Sequence, residues 1–196
     1  MSRSLRILIA DDELDVRDYF NELLADLGHQ VVGSAATGSE LLRECRSRQP
    51  DLIITDVRMP DGDGLTAVKQ YTAERFVPVI LVTAFMDQEI LQEACDAQVF
   101  AYLVKPIGRP QLESAIAIAW QRFEQFESLR REAANLRQAL SDRKLIERAK
   151  GILMKQAQLD EEAAFRRLQK LAREENKKLA QIAEMIITAH RAFDAE

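Results

Sequence analysis

Short apolar runs, separated by stretches whose apolar residues recur at steps of three and four, fill the first 106 positions of this chain. The runs at 5–10, 30–35, 51–55, 78–82 and 100–104 predict strands. Between them, 14–27, 38–48, 64–74 and 87–97 have the spacing of amphipathic helices, as in Phe20, Leu23, Leu24 and Leu27. Strands alternating with helices predict a parallel sheet covered on both faces, because each crossover helix carries the chain back to the starting edge. Turn residues fall between the elements, at Leu27-Gly28-His29 and at Pro60-Asp61-Gly62-Asp63-Gly64.

From Arg109 the pattern changes. Leu112, Ile116, Ala119, Phe123 and Phe126 follow alternating steps of four and three, and a second seam runs through Leu129, Ala133, Leu136 and Leu140. The two three-residue steps around Phe126 shift the register as a stammer does in a coiled coil. This predicts one long linking helix over 109–140. Its stripe needs a cover, either a parallel dimeric coiled coil or a folded-back helix, and the homodimer is favoured. Beyond Ser141-Asp142 three further helices are expected at 142–156, 160–175 and 178–192, with Asp160 as an N-cap. Three helices of that size make a minimal bundle, marginal by itself.

Charge adds an asymmetry. The chain has a formal net charge of −5, yet residues 141–196 are positive by two, so the acidity lies in the amino-terminal part. A mildly basic tail hints at a polyanionic partner. With 47% apolar and 30% charged residues the chain has material for a real core. No apolar stretch reaches the roughly 20 residues that span a bilayer. Met1-Ser2-Arg3-Ser4 lacks the apolar segment of a secretory signal, so a cytoplasmic location and no membrane partner are expected. Cys45 and Cys95 lie in helical patterns and are expected to be buried free thiols. His29 and His190 are isolated, which leaves a zinc site without support.

Chemistry sits where the strands end. Asp11-Asp12, Asp56, Thr83 and Lys105-Pro106 each follow or close an apolar run. In an open parallel sheet these ends share one edge, where such folds place their ligands. A carboxylate can attack phosphorus and form an aspartyl-phosphate. That attack sets negative charge against negative charge, so a hard cation is needed, and Mg²⁺ binds through one or two carboxylates. Asp11, Asp12 and Asp56 are the candidate metal ligands, with Asp56 also the nucleophile. Lys105 would neutralise a phosphoryl oxygen and Thr83 would donate a hydroxyl hydrogen bond.

Residues 5–125 resemble the receiver domain of two-component response regulators. The matching motifs are Asp11-Asp12, Asp56 with Met59-Pro60 and Gly64, Thr83-Ala84, and Tyr102-Leu103-Val104-Lys105-Pro106. The resemblance implies a flavodoxin-like, doubly wound five-stranded sheet of order 2-1-3-4-5 over residues 1–125. It also implies phosphoryl transfer from a sensor histidine kinase to Asp56, Mg²⁺ dependence and a cis Lys105–Pro106 bond. Thr83 and Tyr102 would carry the conformational switch. Such a protein is a phosphoacceptor and not an enzyme in the ordinary sense.

Residues 136–192 are similar to the ANTAR family of RNA-binding antitermination modules. The similarity rests on the run Leu145 to Met154, Glu161-Glu162-Ala163-Ala164-Phe165, Leu168, Ala172, Asn176 and Ile182-Ala183. It implies binding to hairpin loops in leader transcripts, as a dimer, with no DNA expected. From the residues alone, Lys144, Arg148 and Lys155 share one helix face, and Arg166, Lys170, Arg173 and Lys177 form a second stripe. Both could meet backbone phosphates while loop bases supply specificity. A solvated, salt-bridging surface is the alternative for both stripes, since Glu147, Glu174 and Glu175 lie among the cations. For Phe165 core packing is favoured over stacking on a base, close helix approach is expected at Gly151, and Ala149 and Met154 are open between packing and contact. Two other functions stay open: a relay whose tail docks a protein, and a Mg²⁺-dependent hydrolase using the same carboxylates.

Overall fold

The computed structural model describes residues 3–60, 64–84 and 99–193. Five strands, β1 (Arg6–Ala10), β2 (Gln30–Ala35), β3 (Leu52–Asp56), β4 (Val79–Thr83) and β5 (Val99–Val104), form one parallel sheet of order β2-β1-β3-β4-β5. This is the flavodoxin-like receiver topology. The described helices are α1 (Leu14–Asp26), α2 (Gly38–Arg48), α3 (Gly64–Glu74), α4 (Arg109–Ala157), α5 (Glu161–Glu174) and α6 (Leu179–Phe193). The helix expected at 87–97, with Cys95, lies outside the described residues, as do Asp61, Gly62 and Asp63.

Apolar residues on both faces of the central strands dictate a sheet covered on both sides. Leu8 and Ala10 of β1 join Ile53, Leu81, Leu41, Cys45, Leu65 and Val68 in one cluster with α2 and α3. Ile7 and Ile9, one residue out of phase, join Ile54, Ile80, Phe20, Leu24, Leu112 and Ile116 in a second, with α1 and α4. Each fully buried Leu or Ile contributes about 1.5–3 kcal/mol of transfer free energy. Local signals fix the helix ends. Thr37 accepts the Glu40 amide at 3.2 Å while Glu40 Oε2 accepts from Ala36 N at 2.9 Å, a reciprocal cap on α2. After α1, Gly28 adopts φ +82° and His29 N donates to Leu24 O, the Schellman ending.

The chain divides into two compact units between Glu127 and Ser128. In the second, Ala149, Ile152, Leu168, Ile182, Ala183 and Ile187 make the core shared by α4, α5 and α6. Asp160 caps α5 by accepting from Ala163 N at 2.7 Å. One expectation is corrected: α4 continues from Arg109 to Ala157, with no break at Ser141-Asp142. Asp142 does not turn back on its own backbone as a cap would; its carboxylate accepts from Gln138 Nε2 at 2.7 Å, one helical turn away. The predicted helices at 109–140 and 142–156 are therefore one.

The two seams of α4 also part company. Leu112, Ile116 and Ala119 are buried against the sheet, whereas Leu129, Leu136 and Leu140 are 65%, 60% and 61% exposed. No helix among the described residues is long and apolar enough to cross a membrane.

Candidate functional site

The carboxyl edge of the sheet brings the first group of candidates together. Asp11 follows β1, Asp56 closes β3, Thr83 closes β4, and Lys105 follows β5. Lys105 N donates to Thr83 O at 2.8 Å, which holds the β5 end beside β4, and the Lys105–Pro106 peptide is cis. The Lys105 ammonium reaches inward and lies 2.8 Å from both Asp11 Oδ2 and Asp56 Oδ2, with Glu13 Oε1 at 3.5 Å. The second oxygens are held by backbone amides. Glu13 N donates to Asp11 Oδ1 and Arg58 N donates to Asp56 Oδ1, each at 3.1 Å. Two short Asx turns therefore aim both carboxylates at one point.

Gly64 is part of this construction. A side chain there would collide with the Asp56 carbonyl and approach Thr55 Oγ1 to 2.7 Å, so only glycine lets the start of α3 lie against the end of β3. Tyr102, on the edge strand, is half-buried, and Thr83 is buried.

Electrostatics in the pocket are set by burial. Asp11 has almost no solvent exposure, and burial lifts its carboxyl above the usual range despite the neighbouring ammonium. Burial works against the Lys105 charge too, but Asp11 and Asp56 outweigh it and hold its pKa above the ordinary lysine value. A simple ion pair would lower the acid and raise the base. Here the acid rises because it has lost its water, while the partly exposed lysine responds to two carboxylates at once. Asp11 Oδ2 has no hydrogen-bond partner of good geometry, though the ammonium is close.

That orphaned buried oxygen is what a hard cation would satisfy. Asp11, Asp12 and Asp56 each offer a carboxylate oxygen, and the three lie within 4.8 Å of one another, the only such group among the described residues. Three oxygen donors, one of them (Asp12) exposed, match the hard, carboxylate-bound site that Mg²⁺ requires.

The second group of candidates divides by how its charges are met. Arg166 pairs with Glu162 at 3.1 Å, Lys170 with Glu174 at 3.7 Å, and Lys177 with Glu175 at 3.5 Å. That stripe is largely compensated by carboxylates of its own segment, and of its members only Arg173 has no ion pair among the described residues. Lys144, Arg148 and Lys155 are exposed, and among the described residues none has an ion pair or hydrogen bond to a side chain.

The carboxylates near the first stripe are directed elsewhere. Lys150, missed in the sequence, is buried on the other flank of α4. Its ammonium donates to both Glu147, at 3.0 Å, and Glu161, at 2.7 Å, which favours its charged form and ties α4 to the start of α5. Its spacing of three from Glu147 was the available signal.

Two packing expectations are corrected. Phe165 is 36% exposed rather than buried, because Ala164 takes the inward position beside it. Gly151 has no close helix approach among the described residues, since a side chain added there would meet none of their atoms within 4 Å. Ala149 is buried, and Met154 is 38% exposed.

Comparison with known proteins agrees with these two halves. The response regulator receiver domain family matches residues 7–117, more than half of the chain, and the ANTAR domain family matches 134–187. The transcriptional regulatory protein PdtaR of Mycobacterium tuberculosis is 37% identical over 182 residues, covering 93% of this chain and 89% of that protein. Among solved structures, the receiver domain of AraT from Geobacillus stearothermophilus is 30% identical with a TM-score of 0.56, covering 64% of this chain and 99% of that one. The receiver domain of a modulated diguanylate cyclase from Desulfovibrio desulfuricans G20 is 26% identical with a TM-score of 0.59, covering 63% and 98%. Strand-end carboxylates, a nearly full-length relative and two family matches lead to one assignment: this chain belongs to the two-component response regulators, with an amino-terminal receiver domain and a carboxyl-terminal ANTAR domain.

Proposed function

We propose that Asp56 accepts a phosphoryl group from a sensor histidine kinase, and that this event controls RNA binding by the ANTAR domain and thereby transcription antitermination. The observation that carries the reading is the ammonium of Lys105 bridging Asp11 and Asp56. In the transfer, the bond from phosphorus to the donor histidine nitrogen breaks as a bond to an Asp56 carboxylate oxygen forms. The imidazole leaves with the electron pair and takes up a proton. Asp11, Asp12 and Asp56 would hold Mg²⁺, which when bound neutralises phosphoryl oxygens and lowers the repulsion between two anions.

Lys105 then has a second partner. Its ammonium, released from the Asp56 carboxylate, pairs with a phosphoryl oxygen, and the Thr83 hydroxyl donates to another. Movement of Thr83 opens space for Tyr102 to turn inward, so that a local charge change biases the β4–β5 surface.

The output half of the reading rests on the unpaired cations Lys144, Arg148 and Lys155, free to meet phosphates without first breaking an ion pair. The second stripe would contribute chiefly through Arg173. Leu129, Leu136 and Leu140 form the seam of a homodimer, since a 3-4 apolar stripe this exposed is what a parallel coiled coil covers. We assign residues 1–125 to the phosphoacceptor unit, 109–140 to the link and 136–192 to RNA binding.

Mg²⁺-dependent labelling by a small acyl-phosphate donor tests the acceptor. Labelling is expected in the wild type and absent in Asp56→Asn; retained labelling would move the acceptor elsewhere. A single stable acyl phosphate, rather than multiple turnover on phosphomonoesters, separates this reading from a hydrolase.

A further inference from the structure

Gly151 lies inside α4, where glycine weakens a helix relative to alanine. Nothing among the described residues requires it. Its φ is not positive, and an added side chain would meet no described atom within 4 Å. The neighbours on its face indicate what could require it. Lys144, Arg148, Gly151 and Lys155 follow steps of four, three and four, which set them along one seam of the helix. The glycine is thus the one position in a cationic stripe without a side chain, flanked one turn before and one turn after by ammonium or guanidinium groups that no carboxylate engages.

We propose that Gly151 is a notch in this stripe through which an RNA sugar-phosphate strand approaches the helix backbone, with Arg148 and Lys155 holding phosphates on either side. This rests on the RNA-binding reading and narrows it to one surface. The occupant is polyanionic because the face carries three unpaired cations. The nearby carboxylates, Glu147 one turn before Gly151 and Glu161 at the start of α5, both engage Lys150 on the other flank and not the three cations of the stripe. A bare helix face also suits a backbone lying flat along it, since a methyl group at the seam would hold the strand off by about 1.5 Å, half of a phosphate contact's reach.

Gly151→Ala tests this in the full-length protein, with Gly151→Gln as a larger block and Arg148→Ala as a charge control. The probe is a fluorescein-labelled RNA of two stem–loops whose apical loops are a random-sequence pool, read by anisotropy over a salt series. Alanine should leave the melting temperature unchanged or raise it by about 2–4 °C, because the helix gains and nothing clashes. Affinity should nevertheless fall about 5- to 20-fold, further for glutamine, and the log–log salt slope should drop by about one. A protein that is more stable yet binds more weakly is not what a packing role gives.

Wild-type affinity in Gly151→Ala and Gly151→Gln, with Arg148→Ala still weakened, overturns the notch and leaves the RNA reading intact. No salt-dependent binding by the wild type overturns both. A changed oligomeric state of Gly151→Ala by sedimentation without RNA would assign the face to a second copy of the chain and overturn the notch.

Discussion

Replacing Lys105 with methionine keeps the length of the side chain and removes the one cation between two buried carboxylates. In the native pocket its ammonium is 2.8 Å from each, and the Asp11, Asp56 and Lys105 side chains are 1%, 11% and 19% exposed. Removing one partner of a fully buried pair costs about 3–5 kcal/mol, since the remaining charge has neither water nor counterion. Partial access of water to Lys105 brings the expected loss to about 2–4 kcal/mol. For a chain of this size that is a drop in melting temperature of about 6–12 °C.

The assay is thermal or urea unfolding followed by circular dichroism at neutral pH, first with a chelator and then with millimolar magnesium chloride. The divalent cation should restore at least half of the loss, because it meets the same two carboxylates. Potassium chloride of equal ionic strength should not. A loss under about 1 kcal/mol, or one equally large in magnesium, would refute the claim that these carboxylates share one cation site.

Four further outcomes follow from the same geometry. Asp11→Asn should stabilise the protein without magnesium and abolish the stabilisation by magnesium. The buried Asp11 carboxyl is raised above its unfolded value, so the native state binds its proton more tightly and stability falls as pH rises through that range; a destabilised Asp11→Asn at neutral pH would contradict this. Gly64→Ala should lower the urea midpoint by the equivalent of about 1–3 kcal/mol, through collision with the Asp56 carbonyl, and an unchanged midpoint would displace α3 from the site. Leu136→Asp should convert a dimer to monomer in sedimentation while changing the stability of the receiver by less than about 0.5 kcal/mol, and a dimer that survives removes the seam. With Cys95 replaced by serine, Cys45 should react with a thiol reagent only on unfolding, since burial pushes its thiol up to about 12; rapid native-state reaction would contradict its placement.

The receiver was legible because its signals are redundant. The strands β1, β3 and β4 are near-continuous apolar runs, since strands covered on both faces leave no polar phase, and these and β5 lead into residues whose chemistry is rare in that place. The strand order came from the motif resemblance, because apolar runs alone do not say which strands neighbour one another. The tail was less legible for equally physical reasons.

Ser141-Asp142 looks like a helix boundary because both residues cap well, but capping needs the side chain to turn onto the backbone. Asp142 instead meets Gln138 along the helix. Phe165 was expected inside on hydrophobicity, yet its neighbour Ala164 is the buried residue and Phe165 stays 36% exposed. Charge pairing was the hardest to read. Glu147 sits one residue from Arg148 in sequence, but adjacent residues on a helix diverge, and its partner is Lys150, three residues on.

The proposed coupling, a phosphoryl group on Asp56 governing RNA binding by the ANTAR domain, is tested most directly by the affinity for the two-stem–loop RNA with and without an acyl-phosphate donor and magnesium, in the wild type and in Asp56→Asn. Tighter, salt-sensitive binding is expected after treatment of the wild type, with no change in Asp56→Asn. An equal response in both proteins, or none in the wild type, would contradict the coupling.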